Sequence, residues 1–261
     1  MILVIDVGNS NTVIGAFKDG DLLTRWRIRT EARITKDELR AKLLACIQFS
    51  QLESEQIRAM VLATVVPDLA ITWKVVCKDM TSTEIVSVEG GLDLGLAYNY
   101  PEPKQIGADR IANAIAALER YHAPAIIVDF GTATNIDVID RQARYCGGTI
   151  SPGVDISLRA LFEKAARLST VQLEAPQDVI GKSTQEALRS GILYGAAAQV
   201  EGLVARIKES LGESTSSDCI IIATGGMAHL ISKFTAIFDV VDQDLTIYGL
   251  YSIAKRLKLD V

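Results

Sequence analysis

MILVIDVGNSNTVIGAF, residues 1–17, and AIIVDFGTATNIDVID, residues 125–140, decide how this chain folds. Each opens as a continuous apolar run that ends on an acid, Asp6 or Asp129. One apolar residue, a glycine, a cluster of small hydroxyl or amide side chains and a second apolar run follow. Short apolar runs bounded by turn residues read as buried strands, so each copy predicts a strand, a tight turn and an antiparallel partner. Gly8 and Gly131 keep Cβ atoms out of the turns and let the backbone come close to a ligand. The repeat, spaced by about half the chain, implies two related α/β domains, placed at residues 1–118 and 119–261.

Helical patterns lie between and after the two copies. Thr35 to Phe49 reads as a helix whose capping box pairs Thr35 with Glu38. Arg110 to Tyr121 carries Ile111, Ala114, Ile115 and Leu118 on one face, and Leu158, Leu161, Phe162, Ala165 and Leu168 form another stripe. The longest pattern runs from Thr184 to Leu211, after a loop at Ser169 to Gly181. Ala59 to Val66, Glu84 to Val88 and Cys219 to Thr224 read as further strands. Strands alternating with helices give the α/β class.

Composition removes several functional classes. The chain is 49% hydrophobic and 23% charged, enough apolar material for a real core. Its first apolar run has no basic flank and stops at Asp6, so it reads as a strand and not a signal peptide. No apolar stretch approaches the ~20 residues of a membrane span. A net charge of −5 supplies no basic field for nucleic acid, and no Lys/Arg block suits an anionic membrane. Four scattered cysteines without a CxxC pair argue against zinc or disulfides and for reduced thiols in the cytoplasm. His122 and His229 belong to no HExxH pattern, which leaves a histidine triad without support.

Asp6-Val7-Gly8-Asn9-Ser10-Asn11-Thr12 aims backbone N–H groups and short polar side chains at one point. That suits the terminal phosphates of a nucleotide, with Asp6 holding magnesium directly or through water. A plain hairpin turn would explain one such copy, but Asp129-Phe130-Gly131-Thr132-Ala133-Thr134-Asn135 repeats it. The DFG string there lacks the HRD and VAIK companions of protein kinases. Paired turns of this kind resemble the phosphate-binding turns of the actin-like kinase fold. A third turn, Ala223-Thr224-Gly225-Gly226, resembles the one that lies against adenosine in that superfamily. Gly181-Lys182-Ser183-Thr184 looks like a P-loop tail, but Pro176 stands where its first glycine is required.

Tyr100-Pro101-Glu102-Pro103-Lys104-Gln105-Ile106-Gly107-Ala108-Asp109-Arg110 carries the substrate chemistry. Two prolines stiffen the loop, and Asp109-Arg110 opens a helix. An aspartate there is either a cap that complements the helix dipole or a carboxylate placed to accept a proton from a substrate hydroxyl. Arg110 can pair an anionic group such as a carboxylate. From the residues alone the chain is an ATP-dependent phosphotransferase or ATPase.

IDVGNSNT, the Tyr100 to Ala114 stretch with Gly107-Ala108-Asp109-Arg110, VDFGTATNIDV, GGTISPG, IGKSTQEALRSGILYG and ATGG together resemble type III pantothenate kinases along essentially the whole chain. The resemblance implies two duplicated ribonuclease H-like (actin-like) domains with mixed sheets flanked by helices. It implies phosphorylation of pantothenate by ATP and Mg2+ in coenzyme A biosynthesis. Residues Asp6, Val7, Gly8, Asn9, Ser10, Asn11, Thr12 and Val13 would bind ATP, with Thr132. Tyr100, Gly107, Ala108, Asp109, Arg110 and Thr184 would bind pantothenate, with Asp109 as proton acceptor. Asp129 would hold a monovalent cation, potassium or ammonium. The resemblance also implies a homodimer whose partner meets the helix from Thr184, where Gly191, Gly195 and Gly202 stand among apolar residues. Pro101-Glu102 and Leu168-Ser169 depart from the family pattern without touching these residues. The rivals are another small-metabolite kinase of the superfamily, such as a sugar or acetate kinase, and an actin-like regulator with no small-molecule substrate.

Overall fold

The structure of the protein, a computed structural model, describes residues 1–81, 85–164, 173–212 and 218–259. In chain order the strands are β1 (Ile2–Val7), β2 (Asn11–Lys18), β3 (Asp21–Arg29), β4 (Ala59–Thr64), β5 (Ile85–Ser87) and β6 (Ala97–Tyr98). Then come β7 (Ala125–Phe130), β8 (Ala133–Ile139), β9 (Arg144–Pro152), β10 (Ile220–Thr224) and β11 (Val240–Val241). The helices are α1 (Lys36–Phe49), α2 (Pro67–Thr81), α3 (Ala108–Arg120), α4 (Val154–Lys164), α5 (Thr184–Leu211), α6 (Ala228–Ile231) and α7 (Leu245–Arg256).

The chain divides into two compact units, Met1–Arg120 with Asp244–Val261, and Tyr121–Gln243. The first break falls close to the expected residue 118. The second was not foreseen: α7 belongs to the first unit, whereas the sequence reading kept all of 119–261 together.

In the first unit the sheet order is β3-β2-β1-β4-β5. The expected hairpin forms, with Asp6 of β1 opposite Val13 of β2. β4 runs parallel to β1 and sets Ala63 beside Asp6. Strand alternation sorts the β1 side chains between two faces. Leu3, Ile5 and Val7 join Leu39, Leu43 and Ile47 of α1 and Leu69, Trp73 and Val76 of α2 in one core. The capping box predicted at Thr35 and Glu38 starts α1. Val4, and by alternation Asp6, face the opposite side, which α7 covers. A Cβ on Gly15 would lie 2.6 Å from Ile247 and 3.1 Å from Val4. Phe17 stacks on Tyr251 at 4.3 Å between ring centroids. α7 therefore runs from the level of Gly15 toward that of Phe17, opposite in sense to β1.

α3 lies beside α7 and is buried nearly all round, from Ile111 to Ala117. Its alanines allow very close packing: a Cβ on Gly249 would stand 2.0 Å from the Ala112 carbonyl oxygen. Thr246 donates to Asn113 Oδ1 at 2.7 Å. Arg256 Nε donates to Glu119 at 2.9 Å. First half thus meets first half and end meets end, so the two helices run in the same sense.

The second unit repeats the plan with order β11-β10-β7-β8-β9. Asp129 of β7 lies opposite Asn135 of β8, and β10 runs parallel to β7 with Thr224 beside Asp129. Ile126, Val128 and Phe130 pack with Leu193, Ala197, Val200 and Val204 of α5. The helix expected from Thr184 to Leu211 has those bounds. α3 begins at Ala108, two residues before the expected start, and so takes Asp109 into its first turn. Glu84, Ala165, Leu168 and the first part of the expected loop, residues 169–172, lie outside the described residues.

Gly249→Ala should lower stability by about 1–3 kcal/mol or more, because the added methyl meets backbone that cannot rotate away. Thermal unfolding measures this. A variant as stable as the parent would show that the contact at Ala112 does not fix how α7 docks.

Candidate active site

The β1–β2 turn is closed by Gly8 N–H donating to Asn11 O at 3.1 Å. Thr30 N–H donates to Ser10 O at 3.0 Å from the flank. Asn9, Ser10 and Asn11 stand exposed at the tip. Two residues predicted to bind ATP have other work for their side chains. Val7 is wholly inside the core, and the buried Thr12 hydroxyl is 2.9 Å from that of Thr30. Only their backbones, or the shape they impose on the turn, can serve a ligand.

Asp109 does not occupy the N-cap. Gly107 does, its carbonyl accepting from Ile111 N–H at 3.1 Å. Asp109 stands in the first turn, where its Oδ1 accepts from Arg110 N–H at 2.9 Å. A Cβ on Gly107 would lie 2.6 Å from that same Oδ1. The glycine two residues earlier is therefore the space the carboxylate fills, which gives the Gly-Ala-Asp spacing a steric cause. Burial pushes the Asp109 carboxyl above the usual aspartate range, while the Arg110 N–H and the Arg110 charge pull it partly back. A raised value makes it a stronger proton acceptor once ionised.

The helix directions bring Asp109 and Asp6 to one end of the first unit. α7 begins toward the C-terminal end of β1, and α3 runs beside it in the same sense. The N-terminal turn of α3 thus lies toward that end, on the sheet face that Asp6 shares. Tyr100 is half-buried in the irregular segment before the 3-10 turn Pro103–Gln105.

The remaining predicted residues belong to the second unit. The turn after β7 is held by Gly131 N–H donating to Ala133 O at 3.0 Å, and Gly153 N–H donates to Thr132 O at 3.1 Å. A Cβ on Gly153 would lie 2.3 Å from that oxygen, so the last glycine of GGTISPG is fixed by contact with the Thr132 turn. Gly225 has φ +90° and brings its Cα against the Asp129 carboxylate. Gly131 has no such constraint: a Cβ there would make only ordinary contacts at 3.6 Å. Thr184 is exposed on the first turn of α5. Ser183 caps that helix by accepting from Glu186 N–H at 3.2 Å, so GKST is a helix start with no strand leading in.

Sequence reading missed Asn135 and Thr224 as neighbours of Asp129, because cross-strand register is not written along one strand. Among the described residues no group of three or more His, Cys, Asp or Glu is placed to hold a metal. Mg2+ takes few protein ligands when it arrives on a phosphate, so one carboxylate such as Asp6 fits that use.

The family model described as type III pantothenate kinase matches residues 2–206. A type III pantothenate kinase of Exiguobacterium sibiricum is 44% identical over 99% of this chain and 100% of its own length. Among solved structures, a conserved Baf family protein of Campylobacter jejuni, named a transcriptional activator, is similar with TM-score 0.60 at 20% identity, covering 98% of each chain. Component A of the (R)-2-hydroxyglutaryl-CoA dehydratase of Acidaminococcus fermentans is similar with TM-score 0.55 at 13% identity, also covering 98% of each. These structural likenesses concern the fold, which is two duplicated actin-like α/β units with mixed sheets flanked by helices.

Proposed function

The chain belongs to the type III pantothenate kinase family, and on that premise we propose that it transfers the γ-phosphoryl group of ATP to the primary hydroxyl of pantothenate, the opening step of coenzyme A synthesis. The observation that carries this reading is the 44% identity across the full length of a relative so named. The half-buried, elevated Asp109 carboxyl at the start of α3 agrees with it.

In the proposed mechanism Asp109 accepts the proton of the attacking hydroxyl, and Gly107 and Ala108 leave room for the acceptor beside it. Arg110 pairs the pantothenate carboxylate, while Tyr100 and Thr184 complete the substrate contacts. Residues Asp6 to Val13, with Thr132, hold the ATP phosphates through turn amides and short polar side chains. Asp6 would hold Mg2+ arriving on ATP and Asp129 would hold a monovalent cation, and both ions would supply positive charge against the transferring group. The domain assignment that follows has the ATP phosphate turn and start of the substrate site in the first unit. The second phosphate turn and the adenosine turn are in the second.

The working unit in this reading is a cytoplasmic homodimer joined along α5. In support, a Cβ on Gly191 or Gly195 would find nothing within 4 Å, and one on Gly202 would meet only the Arg206 side chain. Glycine costs about 1 kcal/mol against alanine in a helix interior, and this chain's own described residues give no packing reason for the first two. Sedimentation of the active protein checks this: a dimer is expected, and a fully active monomer would contradict it.

Asp109→Asn should lower pantothenate-dependent ADP release by roughly 10²- to 10⁴-fold while leaving ATP binding intact. It should not lower stability at neutral pH. Because the folded-state value of Asp109 is raised, the folded protein binds more protons than the unfolded chain just above the ordinary carboxylate range. Stability therefore falls as pH rises through that window, and the deficit persists above the folded-state value. Replacement by asparagine removes this deficit, so the variant's advantage should grow from acid to neutral pH. Turnover near that of the parent would leave Asp109 a helix-start residue and nothing more.

A further inference from the structure

The duplicated hairpins invite a comparison position by position. In the first unit the row across the sheet is Val13, Asp6, Ala63. In the second unit the corresponding row is Asn135, Asp129, Thr224. The aspartate is kept, but both hydrocarbon neighbours are replaced by side chains bearing oxygen. Residues in register on adjacent strands project from the same face with Cβ atoms roughly 4.5–5.5 Å apart, so Asn135 and Thr224 flank Asp129 from the strands on either side of it, each one strand spacing away.

Two of these oxygens are buried and unsatisfied. Thr224 is 1% exposed, and its Oγ1 has no hydrogen-bond partner among the described residues. The same holds for Asn135 Oδ1. Burying such a group unpaired costs on the order of 1–3 kcal/mol, a cost with no structural return at either position. Gly225 makes the arrangement tighter, since a Cβ there would lie 2.3 Å from Asp129 Oδ1. Two residues along β8 on the same face, the fully buried Asp137 accepts from Tyr145 OH at 2.7 Å and adds a further oxygen-bearing side chain to that face.

We infer that Asn135 Oδ1 and Thr224 Oγ1, together with the Asp129 carboxylate, are ligands of one monovalent cation. The inference rests on the cation reading proposed above and extends it to residues that no comparison assigns. One carboxylate with neutral hydroxyl and amide oxygens is a hard-oxygen set of low charge. That set suits potassium or ammonium better than a divalent ion. The cation supplies the partner that both orphaned oxygens lack.

The test follows the melting temperature as KCl replaces choline chloride at constant ionic strength. The parent should be stabilised by K+. Thr224→Val removes the hydroxyl at nearly constant volume, so in choline it should melt no lower than the parent. Its K+ midpoint should rise by about tenfold or more, the scale of losing one supporting contact at a metal site. Asn135→Ala should shift the midpoint the same way, and Thr224→Ser should restore it. If Asp129→Asn abolishes the K+ response while Thr224→Val and Asn135→Ala keep the parental midpoint, the cation is at Asp129 without these ligands and the inference is overturned. If the parent shows no K+ response, the cation reading itself fails. Should Thr224→Val not fold, Asn135→Ala alone decides between the same outcomes.

Discussion

The backbone contact between Gly249 of α7 and Ala112 of α3 sets where the chemistry of the first unit can occur. With no side chain at Gly249 and small Ala112 opposite it on α3, the helices approach closely enough to lock their relative rotation. That rotation fixes the start of α3, where Gly107 leaves the space that Asp109 fills. α7 in turn is registered on the sheet by Ile247 against Val4 and by Tyr251 on Phe17. A short chain of contacts thus carries position from β1, which bears Asp6, to the helix that bears Asp109. No flexible side chain intervenes in the decisive step, which suits the proton-acceptor role proposed for Asp109, since catalytic groups act only when closely positioned.

The two units show one scaffold put to two uses. Each presents an aspartate near the end of a central strand, a glycine two residues later and a turn of small residues, exposed at Asn9 to Asn11 in the first unit and at Gly131 in the second. In the first unit the aspartate has hydrocarbon beside it on the neighbouring strands, Val13 and Ala63. In the second, oxygen-bearing side chains replace that hydrocarbon. Duplication kept the backbone geometry and changed the donors around it. In the proposed reading both turns serve phosphates, and the second also serves a bare cation.

Much of this could be read along the chain. Both hairpins followed from apolar runs broken at glycine, and α1 and α5 from their caps and spacing. Asp109 stood out because its loop combined prolines, open backbone and an acid beside an arginine. What could not be read depends on partners distant in sequence. Nothing in Leu245 to Arg256 marks it for the first unit, since an apolar helix fits either one until its contact partner is known. Val7 and Thr12 stand where strand residues alternate between core and surface, and only the register shows that their side chains turn inward. Thr224 appeared as part of a strand-to-helix turn, with no sign of Asp129 across the ladder.

As a pantothenate kinase, this molecule phosphorylates one particular alcohol and is neither an idle ATPase nor a sugar or carboxylate kinase. The direct measurement incubates the protein with ATP, Mg2+ and K+ and an equimolar mixture of pantothenate, glucose, N-acetylglucosamine and acetate. Mass spectrometry then identifies every phosphorylated product. Phosphopantothenate as the sole product, with ADP release that stops when pantothenate is omitted, is the predicted result. A phosphorylated sugar, acetyl phosphate, or ADP release independent of any acceptor would contradict it.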